Sequence, residues 1–68
     1  MIAQLPEIDP VHYRVYLLDD QGEILLGEDV LASDDNSAVS NGWGLADTHA
    51  RAKGVEVWQD RRLVFSSY

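Results

Sequence analysis

Imidazole is limited to His12 and His49 in this chain. A metal or acid–base site built on either needs carboxylates at ligand distance. Asp47 is close to His49 in sequence, but residues two apart on a helix do not share a face. The two read as a strand-surface and a helix-flank histidine. Ser33, Ser37, Ser40, Ser66 and Ser67 lie in no nucleophile-elbow context, and no Ser, His and acid trio is suggested. Capping, helix surface and the terminus account for them. A calcium loop with glycine at its sixth position, counted back from Gly22, starts at Leu17, which cannot ligate. Asp34-Asp35-Asn36 lacks a following glycine and reads as a helix cap. Gly42-Trp43-Gly44 is neither a Walker loop nor a dinucleotide fingerprint. It reads as close approach of a helix backbone to a sheet, with Trp43 packed between the two; alanine at Trp43 would then cost about 3–5 kcal/mol. The chain has no cysteine, so disulfides, zinc-thiolate sites and thiol nucleophiles are excluded together. No catalytic, cofactor-binding or metal-binding residue is expected, and no small-molecule ligand.

Surfaces remain. Twelve acidic against five basic residues give a net charge of -7, the wrong sign for a phosphate backbone, so direct nucleic-acid binding is not expected. The charge is uneven: residues 1–35 hold nine acids and one base, and residues 36–68 hold three acids and four bases. The first basic residue is Arg14 and the longest apolar runs, such as Val15 to Leu18 and Ile24 to Leu26, fall far short of the roughly 20 residues of a membrane span. A soluble cytoplasmic protein is expected, without a membrane partner.

The elements that would carry these surfaces are legible in order. Sixty-eight residues, 46% hydrophobic and 25% charged, make one small globular domain. Pro6 and Pro10 predict an extended N-terminal arm over residues 1–10, tethered by Ile2, Leu5 and Ile8; residues 11–68 are the domain. Val11 to Asp19 alternates as a strand, Asp19-Asp20-Gln21-Gly22 supplies turn chemistry, and Glu23 to Leu31 resumes an extended pattern. A helix should begin near Asp34, run some 18 residues, and stop at Gly54 with Arg51 and Lys53 in its last turn. Asn41 to Gly44 are poor helix formers and predict a kink or break there. Val55 to Trp58 and Arg62 to Ser66 then form a second hairpin. The fold class is α+β, a ββαββ domain with one helix on one face of a four-stranded sheet. Direction makes strands two and three run the same way, and the preferred order is 2-1-4-3, the most apolar strand being central. In outline this resembles the β-grasp of small immunoglobulin-binding domains, without implying their activity.

Tyr13-Arg14-Val15-Tyr16-Leu17-Leu18-Asp19, Gly22 and Ile24, Asp34-Asp35 with Ala38-Val39, and Val55-Glu56-Val57-Trp58-Gln59 before Arg62-Leu63-Val64 resemble small uncharacterised proteins common in alphaproteobacteria. The resemblance spans most of the chain after Val11 and implies no activity and no functional residue. Asp60 stands where such sequences often have a turn glycine.

A single helix covers one sheet face. If Val15, Leu17, Val57, Leu63 and Phe65 take that face, Tyr16, Leu18, Trp58 and Val64 fall on the other, flanked by Arg14, Arg62 and Glu56. Such a face marks a homodimer contact or a site for one protein partner, unless the arm folds over it. The alternative is an acidic inhibitor or regulator of a basic nucleic-acid-binding protein, acting through Asp19, Asp20, Glu28 and Asp29.

Overall fold

The structure, a computed structural model, describes residues 10–68. The arm expected over residues 1–10, and its proposed path over the open face, lie outside the described residues apart from Pro10. Five elements follow: β1 (Val11–Leu18), β2 (Ile24–Ala32), α1 (Asp35–Asp47), β3 (Gly54–Gln59) and β4 (Arg62–Ser66). The first turn is built as its residues require. The Asp19 carboxylate accepts from the amides of Gln21 and Glu23, and Gly22 takes the left-handed conformation at φ 77°. In the second hairpin Asp60 holds the positive φ, 52°, that a glycine would adopt more easily.

The sheet order is β2-β1-β3-β4 with every neighbouring pair antiparallel, which corrects the preferred 2-1-4-3 and with it the β-grasp outline. β1 is central as its composition demands, and β2 and β3 do run the same way. The difference is which strand of the second hairpin lies beside β1. β3 takes that place because the chain leaving the helix joins the β1 ladder at once, the Lys53 amide donating to the Leu18 carbonyl at 2.8 Å. Val55 and Val57 of β3 are completely buried, whereas β4 begins at exposed Arg62 and lies at the edge. The arrangement also avoids the parallel pair that 2-1-4-3 requires between β1 and β4, a pairing slightly weaker per residue.

The helix is thirteen residues long and unbroken through Asn41 to Gly44. Asp34 caps it, its carboxylate accepting from the Ser37 amide at 2.8 Å. It ends well before Gly54: the Thr48 hydroxyl donates to the Leu45 carbonyl at 2.7 Å, and the Thr48 and His49 amides bond back to Leu45 and Ala46. Arg51 and Lys53 therefore lie beyond the helix. Gly54 is not a left-handed stop but the first residue of β3, crossed closely by the C-terminus.

Two contacts seat the helix. Gly42, not Trp43, faces the sheet: a β-carbon on Gly42 would stand 3.4 Å from Val15 Cγ1 and 3.5 Å from Val57 Cγ2. Around this approach Tyr13, Val15, Leu17, Ala32, Ala38, Ala46, Val55 and Val57 form the core. Trp43 is 40% exposed and meets Phe65 edge-on, with ring centroids 6.2 Å apart. Its removal forfeits an aromatic pair worth about 0.5–1.5 kcal/mol with partial burial, less than the loss expected of a buried indole. The second contact is at the helix N-terminus. Arg62 donates from Nη1 and Nη2 to the two oxygens of Asp35 at 3.0 and 2.9 Å, while the Tyr13 hydroxyl donates to Asp35 Oδ1 at 2.8 Å. This links α1 to β1 and to the start of β4.

Gly44 has open space where its β-carbon would be. Gly44→Ala should therefore raise stability by about 0.5–1 kcal/mol through helix propensity, and Gly42→Leu should lower it by about 1–3 kcal/mol by lifting the helix off Val15 and Val57, both read from urea melts. Arg62, and then Tyr13, hold the Asp35 carboxyl below the usual carboxylate range. A group more acidic folded than unfolded contributes stability above its unfolded pKa, about 3.9, and loses it as pH falls through the folded value. Asp35→Asn should be less stable than wild type at neutral pH, the gap closing as acid melts are taken below about pH 4.

Candidate functional site: the open sheet face

With α1 on one side, the other side of the sheet is built from the alternate residues His12, Arg14 and Tyr16 of β1 and Glu56 and Trp58 of β3. Register sets Arg14 opposite Trp58 and Tyr16 opposite Glu56. Together with Ile24, Asp29 and Asp60 these residues line a groove of about 540 Å³ that is open to solvent.

The groove is organised by short polar contacts. The Arg14 guanidinium lies over the Tyr16 ring, 5.5 Å from its centroid, and Nη1 bonds Asp29 Oδ1 at 3.0 Å. The hydrogen bond to Asp29 raises the already high pKa of Arg14. Trp58 Nε1 donates to Glu56 Oε1 at 2.6 Å, so the indole is fixed on the surface by its own strand. Gly27 lies opposite Tyr16 on β2, where a β-carbon would fall 2.9 Å from Tyr16 Cε1 and 3.0 Å from Arg14 Nη2. The missing side chain lets the Tyr16 ring lie down across β2, an aromatic covering a strand glycine.

Of the residues expected on this face, Arg14, Tyr16, Glu56 and Trp58 are brought together there, and three are not. Leu18 is buried, at 3% exposure. Its cross-strand neighbour is Gly54, against which the Tyr68 ring is laid, and the Tyr68 hydroxyl donates to the Asp19 carbonyl. Arg62 is committed to Asp35 and Gln59 beside the helix. Val64 packs against the core, because β4 carries a bulge: Val57 pairs with Phe65 but Trp58 pairs with Leu63, leaving Val64 as the extra residue. Leu63, expected on the helix side, takes the position opposite Trp58 and is 48% exposed.

Sequence reasoning missed Leu31, which pairs with His12 and is 54% exposed, and it missed Gly27. The signal for both was the β1–β2 register, which depends on where the turn ends. The four acids of the alternative surface are dispersed. Asp19 and Asp20 sit at the β1–β2 turn, with the Asp19 carboxylate engaged in it, and Glu28 and Asp29 lie in the middle of β2.

Among the described residues no three His, Cys, Asp or Glu side chains converge as metal ligands would. No helix among them is long and apolar enough to cross a membrane. Neither protein-family models, nor curated proteins, nor solved structures give a match to this chain.

If Gly27 is what admits the Tyr16 ring, Gly27→Val should lift it off β2 and away from Arg14. Ring-current shifts on the Arg14 side-chain protons, present in the wild type, should collapse in the variant while the circular dichroism of the fold persists.

Proposed function

We propose that this chain is a small, non-enzymatic, cytoplasmic protein-binding module that assembles with a second copy of itself through the open sheet face. The observation that carries this is that Tyr16 and Trp58, diagonal neighbours on the adjacent central strands, share a sheet face that no other described element covers, with Leu31 and Leu63 exposed beside them. Aromatic anchors flanked by apolar and charged side chains are the composition of protein contacts. Charge supports self-association of this face. Arg14 stands among Asp29, Glu56 and Asp60, so a two-fold contact offers each Arg14 a carboxylate across the axis. A domain of this size without disulfides also gains from covering a second sheet face.

Trp58 lies on β3 opposite Arg14, near the middle of the sheet, and glutamate there sets a charge in the desolvated centre of the contact while sparing the helix-side core. Wild type should run as a dimer, and Trp58→Glu as a folded monomer, in light scattering coupled to size exclusion. A wild type that remains monomeric at high micromolar concentration overturns the dimer reading.

A further inference from the structure

β2 is the longest strand of the sheet and lies at its edge. Its inner side is bonded to β1, and among the described helices and strands only β1 and α1 contact it. Along its outer side alternate amides and carbonyls have no strand partner among the described residues, the arrangement that templates another strand. Edges are commonly blunted by lysine, proline or bulges. Ile24 to Ala32 contain no lysine and no proline, and the one irregularity in the pairing sits at the Ile24 end.

The edge instead carries acids. Glu28 and Asp29 are exposed at its centre, with Ile24 and Leu31 exposed towards its two ends. Glu28 is the middle residue of the nine, so two β2 strands paired antiparallel in full register set Glu28 against its own copy. Like charges directly opposite one another destabilise a ladder, and self-pairing along this edge is opposed. The same charges attract an incoming strand of opposite sign.

We infer that the β2 edge accepts an extended segment of another protein as a fifth strand, one with two adjacent Lys or Arg residues between β-branched or aromatic ones. The basic residues must be adjacent because Glu28 and Asp29 are consecutive and project to opposite faces of the sheet. Arg14 bonds Asp29 through Oδ1, leaving Oδ2 for a cation on the new strand. Main-chain bonds supply affinity in this mode of recognition, and the alternate side chains supply specificity. The net charge of -7 adds long-range attraction for a basic segment.

This surface borders the Tyr16 and Trp58 face, with Ile24, Asp29 and Leu31 common to both, but it is engaged through the outward β2 backbone, so the test separates the two at Trp58 and at the β2 amides. The probe is a capped nine-residue peptide alternating threonine and valine around a central Lys-Arg pair, added to the full chain. Binding should slow hydrogen exchange at the β2 amides that point away from β1. A peptide with a central Glu-Glu pair should not bind, nor one N-methylated on the edge that faces β2. The double variant Glu28→Lys and Asp29→Lys should weaken binding by about tenfold, and Glu28→Gln, which removes one charge alone, by a smaller factor should the double variant not fold. Trp58→Glu should leave peptide binding unchanged. The inference is overturned by undiminished binding of the N-methylated peptide, by protection centred on Tyr16 and Trp58 instead of β2, or by no binding at millimolar peptide.

Discussion

The approach of α1 to the sheet at Gly42 is the contact on which the rest of this domain depends. Because the helix carries no side chain there, its backbone settles between Val15 and Val57, fully buried valines on the two central strands. That seat decides which sheet face is covered. It also decides that Trp43, the next residue, points past the contact to the helix flank and meets Phe65 near the edge. A thirteen-residue helix is about 20 Å long and one helix wide, so it shields one side of the sheet and, among the described residues, leaves the other open.

Asp35 holds the same helix at its other end. Its carboxylate gathers Arg62 from the start of β4 and the hydroxyl of Tyr13 from β1, groups 27 and 22 residues away in sequence. Burial, and then the bond to Asp35, push the Tyr13 phenol above its ordinary pKa, so it stays a donor throughout the neutral range. Register sets Arg62 opposite Gln59 on the helix side, where Asp35 holds it, so it adds no cation to the open face. That face is left with Arg14 and His12 among Asp29, Glu56 and Asp60.

Two kinds of surface result, and they differ physically. The open face is aromatic and ordered by its own bonds, Arg14 on Tyr16 and Trp58 on Glu56, so docking there costs little side-chain entropy. The β2 edge offers backbone groups and two acids, with no aromatic anchor. One suits packing of sheet on sheet, the other lengthening of the sheet.

Local chemistry sets the elements and their order: strand alternation in β1 and β3, the Asp34 cap, the Asp19 and Gly22 turn, and the central place of β1 are all readable from neighbouring residues. It also determined that Arg14, Tyr16, Glu56 and Trp58 share parity on their strands. The remaining features are non-local and come from the packed fold. The strand chosen as neighbour of β1 depends on how the chain leaves a helix that a Thr48 bond ends early. The exchange of Leu63 for Val64 depends on a single-residue bulge in β4, and one inserted residue reverses every side chain beyond it. Leu18 is buried across from Gly54, over which Tyr68, fifty residues later than Leu18, folds back. Periodicity registers what a residue does within its own strand, whereas bulges, crossovers and returning termini are set by contacts between residues far apart in the chain.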